Sequence, residues 1–517
     1  MIYLHTILRA PKPIRSSTNT LQTREIRPST QRTNIMDSTT IEARQWINNE
    51  YINSTGETIT IRNPNDDSVI GEMQISGEAE MNAAVTAARA AFETGDWSRY
   101  TGAQRAACMN KFADLLETEA AKIAKIESSC MGMPISVMQG ALVPRAAKSF
   151  RFYAGFADKI QGETFPIEDN SYRIVQYEPL GVCAGICAWN FTLIFLGWKL
   201  APALAAGNTY IFKSSEKAPF SLQAVAPLFK EAGFPPGVVN FITGDGKTGA
   251  LLAHHMDIDK IAFTGSNNVG RKIQEASAKS NLKKVSLELG GKSPAIVFDD
   301  VDAATVIPLL VRGFLWNSGQ ICFCPSRLLL QKKIAAPFTA ALKGAFTGAL
   351  GMTGNQLEAQ TVFGPLADKS QLESVLGYIE SGRSEAELLV GGARHGDTGN
   401  FVQPTIFINP KDDAKIYREE IFGPVLVIKT FDTEEEAVRI ANDTSFGLSA
   451  CIYTANVSRA LVLASKIKAG TVSINGPYMP DFNTPFGGWK ESGSGRECGK
   501  QAMDAYLQTK TIKINLM

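Results

Sequence analysis

Between residues 80 and 158 apolar side chains recur at spacings of three and four, in Ala-rich runs such as Met81 to Phe92 and Gln104 to Lys125. That period predicts amphipathic helices. After Asp158 the pattern changes: Gly162 to Tyr177 is polar and β-prone, ends in Arg173-Ile174-Val175-Gln176-Tyr177, and reads as a hairpin arm outside a core. From Gly181 onward apolar runs of strand length alternate with helical stretches. Val182 to Cys187, Thr209 to Lys213, Val238 to Ile242 and Lys260 to Phe263 are predicted strands; Thr192 to Ala206 and Ser221 to Ala232 are predicted helices, closed by Gly207 and Gly233. Continuous apolar strands separated by helices signify a parallel sheet covered on its faces. A second alternation follows Gly291, with strands at Ala295 to Phe298, Arg327 to Gln331 and Val425 to Thr430, and a helix running to Leu315. The helix after the last of these opens with Thr433 and Glu436 at capping-box spacing. Thr511 to Leu516 alternates as an edge strand does, and has either the hairpin or a second subunit as a partner. The pattern therefore predicts two α/β units joined near Gly290-Gly291.

Composition narrows the picture. A chain of 517 residues is long enough for roughly two to four domains. Its 44% hydrophobic and 20% charged residues are those of an ordinary globular protein. A net charge of +1 supplies no field to attract nucleic acid or a membrane surface, so neither is expected as a partner. Eight scattered cysteines point to reduced thiols. None of the four histidines (His5, His254, His255, His395) is spaced with cysteines as a structural zinc site requires, so no metal is expected. Gly181 to Trp198 carries no charge over eighteen residues, but Gly181, Gly185, Asn190 and Gly197 divide it into strand, turn and helix, against a membrane span. Residues 1–35 differ from the rest: six basic residues, one acidic residue and many Ser and Thr resemble a weak mitochondrial transit peptide. The alternatives are an unstructured tail or a start at Met36, so the expected compartment is the cytoplasm, or the mitochondrial matrix if the segment is a targeting signal.

Five segments carry chemistry. Ala188-Trp189-Asn190-Phe191 follows a strand, where open α/β sheets place ligands, and an Asn there can donate to a developing oxyanion; alone, such an Asn is more often a turn former. Lys213-Ser214-Ser215-Glu216 also ends a strand, and its Lys and Glu can reach ribose hydroxyls, with the Glu repelling a 2'-phosphate; the alternative is a solvated pair at a helix start. Phe263-Thr264-Gly265-Ser266-Asn267-Asn268-Val269-Gly270 joins strand to helix and would offer backbone N–H groups to a pyrophosphate, though it is not a G-x-G-x-x-G fingerprint. In Leu287-Glu288-Leu289-Gly290-Gly291-Lys292 a carboxylate lies in an apolar strand; desolvation would make Glu288 a general base near neutral pH, unless it is paired with a nearby cation. Asn317-Ser318-Gly319-Gln320-Ile321-Cys322-Phe323-Cys324 places a thiol in a loop, a candidate nucleophile, against the commoner case of a merely buried cysteine. Cys324 is a candidate oxidation partner for it.

Taken in order and spacing, these segments resemble the aldehyde dehydrogenase superfamily from about residue 40 to the end. The resemblance implies an α/β fold: a Rossmann-like NAD-binding domain (36–156 and 180–290), an α/β catalytic domain (291–491) and a β oligomerisation arm (157–179 and 492–517), assembled as a homodimer or homotetramer. It places the oxyanion donor at Asn190, the ribose pair at Lys213 and Glu216, and the pyrophosphate turn at Gly265-Ser266. The general base falls on Glu288, with a proton relay at Glu497, and the nucleophile on Cys322. Ile186, Trp189, Gly246, Phe263, Val269 and Leu289 become cofactor contacts, and Glu419-Glu420-Ile421-Phe422-Gly423-Pro424 looks like a nicotinamide-ribose clamp through Glu420 and Phe422. Pro485-Phe486-Gly487-Gly488 and Ser492-Gly493-Ser494-Gly495-Arg496-Glu497 match closing motifs. Ala188, Thr192, Ser214 and Asn268 depart from the family pattern without touching a reacting group.

The implied reaction is NAD-dependent oxidation of an aldehyde to its acid through a thiohemiacetal and a thioester on Cys322. Phe191, Phe195 and Trp198 share a helix face, and the resemblance completes a tunnel with Trp316, Ile321, Phe323, Tyr478 and Phe486. None of the eight is charged. Apolar or aromatic aldehydes are therefore expected over succinic semialdehyde, whose carboxylate would be left unpaired, with betaine aldehyde as runner-up because aromatic walls accept quaternary ammonium. A CoA-acylating dehydrogenase is the nearer rival, opposed by Glu288; a catalytically silent binding protein is the rival from another class.

Overall fold

The computed structural model describes residues 41–517 apart from Thr55, so the basic segment 1–35 lies outside the described residues. Among the described residues the strands form two large sheets, a three-stranded arm and a two-stranded hairpin, Thr58–Arg62 with Val69–Gln74. In the first sheet the order is Gly493–Ser494, Lys284–Glu288, Lys260–Thr264, Val182–Ile186, Thr209–Lys213, Val239–Ile242, Gln45–Ile47 and Glu50–Ile52. The five from Lys284–Glu288 to Val239–Ile242 are parallel, and four of them are buried at every position. Burial on both faces is why they read as unbroken apolar runs.

Chain order within this sheet decides where a ligand can sit. From Val182–Ile186 the chain adds Thr209–Lys213 and Val239–Ile242 on one side, then returns to add Lys260–Thr264 and Lys284–Glu288 on the other. The reversal opens a crevice at the carboxyl ends of the two strands that flank it. Register aligns those ends: Phe263 is opposite Ile186, Ile186 opposite Lys213, and Thr264 opposite Glu288.

The second sheet runs Glu387–Val390, Thr405–Ile408, Val425–Phe431, Arg327–Gln331, Pro294–Val297, Ser449–Tyr453 and Thr471–Ile474, parallel except for the first. The loops that enter its strands at Pro294, Arg327 and Val425 carry Gly290-Gly291, Cys322 and Glu420. In the arm, Ser171–Pro179 pairs with Glu163–Glu168 and, along its whole length, with Leu507–Asn515, so the C-terminal edge strand finds its partner in the same chain.

Several elements differ from their sequence expectation. Gly493–Ser494 belongs to the first sheet, antiparallel to Leu287-Glu288, and not to the arm into which residues 492–517 were placed. Strands Gln45–Ile47 and Glu50–Ile52 and the Thr58–Gln74 hairpin lie in a stretch where no period stood out. Thr192 to Ala206 is not one regular helix: a π turn at Leu196–Leu200 separates Thr192–Phe195 from Ala201–Ala206. Thr433 caps its helix, but Glu436 accepts from Asp432 and leaves the capping box half made. Among the described residues no helix is long and apolar enough to cross a membrane.

Arg327 ties the second sheet to the helix behind it. The side chain is fully buried and donates to the carbonyls of Lys292 (2.8 Å), Ile440 (3.1 Å) and Ala441 (2.8 Å). Arg327→Leu would take a donor from three buried carbonyls, of which that of Ile440 keeps the Asp443 N–H (3.3 Å), and should cost on the order of 3 kcal/mol, read as a lower denaturant midpoint at unchanged slope. A loss below about 1 kcal/mol would show that water or neighbouring donors replace the guanidinium.

Candidate active site

The loop that carries Cys322 is held in an unusual backbone shape. Asn317, Ser318 and Gly319 all have positive φ (51°, 54° and 75°), a conformation that costs a non-glycine residue about 1–3 kcal/mol. Hydrogen bonds offset it: Ser318 donates to Gly364 O (2.6 Å), the Gln320 amide donates to Asn317 O (2.9 Å), and its oxygen accepts from Ala367 N (3.0 Å). Gly319 has no alternative residue, because a Cβ there would run into the Gly423 carbonyl. The turn leaves Cys322 half-buried and facing a cavity of about 410 Å³. Cys324 turns away; it is buried and its thiol donates to Phe314 O (3.3 Å), which removes it as an oxidation partner in this conformation.

Asn190 reaches this loop from the first sheet. Its Nδ2 donates to Gln320 O (3.0 Å), two residues before the nucleophile candidate, which leaves the second N–H of the amide available. Glu288, at the end of its strand, is 4% exposed and neither carboxylate oxygen has a hydrogen-bond partner. Room for it depends on Gly487, where a Cβ would sit 2.8 Å from Oε1. Behind Glu288 lies an ion pair that sequence reasoning missed in part: fully buried Lys199 donates to Glu497 and to the Thr264 hydroxyl (2.7 Å). Trp198 and Lys199 are consecutive in the π turn and so point apart, Trp198 to the cavity and Lys199 to Glu497, and Ser149 donates to the carbonyl of Gly197 within the turn (3.0 Å).

On the other side of Glu288 the strand ends form a groove. Lys213 Nζ is 3.9 Å from Glu216, and the ammonium is otherwise committed only to Ser214 O (2.9 Å). Ser266 precedes helix Asn267–Lys279 with no side-chain cap, and an added Cβ at Gly246, which opens helix Gly246–His254, would meet no atom within 4 Å. Ile186, Phe263 and Leu289 are buried beside these positions, and Val269 is exposed on the helix face. Glu420 accepts from Gly291 N (3.0 Å); Phe422, at φ 57°, packs edge-on against Trp189 with ring centres 5.5 Å apart.

The cavity wall includes five of the eight sequence-predicted tunnel residues: Phe191, Phe195, Trp198, Trp316 and Phe323. Ile321, Tyr478 and Phe486 do not line it. Tyr478 and Phe486 stack on each other (5.9 Å) and support Phe323 from behind, while Ile321 points into the core. The lining is also not free of charge, since Arg145, Lys148 and Asp481 contribute to it.

Residues 51–512 match the family model described as the aldehyde dehydrogenase family. The chain is 44% identical over 474 residues to an aldehyde dehydrogenase of Alternaria alternata, covering 91% of this chain and 95% of that one. The chain belongs to the aldehyde dehydrogenase family. It is also similar to human retinal dehydrogenase 2 (41% identical over 475 residues, 91% of each chain). Among solved structures, an NAD+ complex of a Bacillus cereus aldehyde dehydrogenase superposes with a TM-score of 0.90 at 41% identity, covering 92% of this chain and 97% of that one.

Electrostatics in this family member follow from how dry the site is. Burial pushes the Cys322 thiol well above its ordinary range, and the Glu420 and Glu288 carboxylates beside it add to the effect. Burial also raises Glu288 well above the usual carboxylate range, as does Glu497, opposed by Lys199 and Arg496. Glu420 is raised to about 7 by burial, eased by the Gly291 N–H and the Lys292 cation. The free protein should therefore alkylate slowly at Cys322 near neutral pH. Iodoacetamide labelling, read by mass spectrometry at the Cys322 peptide, should quicken as pH rises from 6 to 9, and Glu420→Gln should quicken it at fixed pH by removing a negative neighbour. Labelling that is already fast at pH 6 and indifferent to Glu420 would contradict this electrostatic picture.

Proposed function

We propose that this chain oxidises an aldehyde to its carboxylic acid with NAD, through an acyl group carried on Cys322. The observation that carries the reading is the convergence of three groups from distant segments: a thiol open to a cavity, an Asn amide tethered to its loop, and a buried carboxylate without hydrogen-bond partners.

The groove fits the cofactor. Lys213 and Glu216 are paired where ribose hydroxyls need one donor and one acceptor, the uncapped start of the Asn267–Lys279 helix presents backbone N–H groups suited to a pyrophosphate, and Glu420 and Phe422 stand beside Gly290-Gly291 to hold the second ribose. Glu216 would repel a 2'-phosphate, which favours NAD over NADP. NAD supplies, when bound, the hydride acceptor that the oxidation needs.

The protein's own groups do the rest. The Cys322 sulfur, its proton given up to solvent, bonds to the carbonyl carbon as the thiolate, and Glu288, whose raised proton affinity suits it as a base near neutrality, is kept for the water that follows. The oxyanion is held by the free N–H of Asn190 and the backbone N–H of Cys322. After oxidation at the carbon, Glu288 takes a proton from water as it attacks the thioester, and the Lys199–Glu497 pair behind it carries that proton on. The aromatic wall favours an aldehyde with an apolar or aromatic body. Arg145 and Lys148 in the lining weigh against the quaternary ammonium of betaine aldehyde, and Glu288 weighs against CoA as the acyl acceptor.

Cys322→Ala should lower NADH formation from benzaldehyde by more than about a thousandfold while NAD binding, followed by fluorescence, persists. Glu288→Gln should still release NADH in a pre-steady-state burst but turn over about 10²–10³-fold more slowly. Loss of the burst together with turnover would place Glu288 in thiol activation, and full activity of Cys322→Ala would remove the nucleophile assignment.

A further inference from the structure

Arg145 lines the cavity without taking part in the chemistry at Cys322. It lies one turn before Lys148 on helix Val143–Ala154, so the two cations share a face, and both line the cavity that Cys322 opens onto. Arg145 is half-buried, and among the described residues its guanidinium neither donates a hydrogen bond nor meets a carboxylate at ion-pair distance; its close partner is the Phe482 ring, 5.2 Å from the centroid. Burial lowers its pKa while Cys498, Asp481 and Tyr478 act on it only at a distance, yet a guanidinium stays charged. Asp481, the acid in the same lining, is committed elsewhere, since its Oδ1 accepts from the backbone N–H (2.8 Å) and the amide (2.9 Å) of Asn483. Five N–H donors drawn partly out of water without an acceptor are costly, and a carboxylate that meets them two at a time offsets that cost.

We propose that the aldehydes this site takes carry a carboxylate on their apolar or aromatic body, remote from the carbonyl, and that Arg145 selects them. The assignment rests on the reading of Cys322 as the nucleophile in the same cavity. Lys148, exposed and a turn away, adds positive field at the same wall. This reverses the expectation, drawn from eight uncharged residues, that a substrate carboxylate would be left unpaired.

The test is a pair of substrates of equal shape, 4-carboxybenzaldehyde and 4-carbamoylbenzaldehyde, assayed by NADH absorbance with the full-length protein. The acid should be preferred in kcat/KM by about tenfold or more, chiefly through KM, and the preference should shrink as salt is added. Arg145→Gln should bring the ratio close to one, and Arg145→Lys should restore part of it. If Arg145→Gln is insoluble, Arg145→Lys and the salt dependence decide. A ratio near one in the wild type, or a ratio that survives Arg145→Gln, overturns selection by Arg145 while the oxidation of both aldehydes leaves the reading of Cys322 standing. Oxidation of neither aldehyde, or equal oxidation of both by Cys322→Ala, would overturn that reading and this one with it.

Discussion

At Gly290-Gly291 the chain leaves the first sheet and enters the second through a space with no room for a side chain. A Cβ at Gly290 would collide with the Glu420 carboxylate, and one at Gly291 with the Cys322 carbonyl oxygen. Those two collisions describe the contact on which the site depends. The strand that ends in Glu288 delivers that carboxylate to one side of the crossing, the loop before Arg327 delivers the Cys322 thiol, and the loop before Val425 delivers Glu420, hydrogen-bonded to Gly291 N. A bulkier crossing would hold the two sheets apart, and with them the groups that must meet.

Bringing these groups together excludes water, and that has an electrostatic consequence. Glu288 is buried without a hydrogen bond, Cys322 is desolvated and feels the Glu420 and Glu288 carboxylates, and both hold their protons more tightly than they would in solution. For Glu420 the linkage has a definite sign: its folded-state value of about 7 lies above the ordinary 4.5, so its contribution to stability is greatest at low pH and is lost as pH rises between those values. The site thus gives up stability near neutral pH in return for proton affinities suited to acid–base chemistry.

How much of this was legible in the sequence depended on whether a residue's role is local. The four fully buried strands announced themselves because burial on both faces forces an apolar run, and Gly207 and Gly233 marked helix ends because each adopts positive φ there. Cys322, Glu288, Asn190, Lys213 and Glu216 stood out as reactive side chains at strand ends and glycine turns, and the structure brings them to one edge. The π turn was not legible because every residue from Thr192 to Ala206 is buried, so no polar face marks the helical period, and Lys199 lies within that stretch. Ile321, Tyr478 and Phe486 were placed on the cavity when they stand behind it, since apolar character does not distinguish wall from support. Arg145 was missed for the opposite reason: periodicity shows which helix face is polar, not that this polar face borders a cavity formed with segments more than three hundred residues away.

The account turns on whether the acyl group is carried by Cys322. Glu288→Gln protein mixed with NAD and benzaldehyde, quenched in acid within the burst and digested, should show a benzoyl mass increase on the Cys322 peptide in proportion to the NADH released. NADH release with no acyl adduct, or with the adduct on another residue, would contradict it.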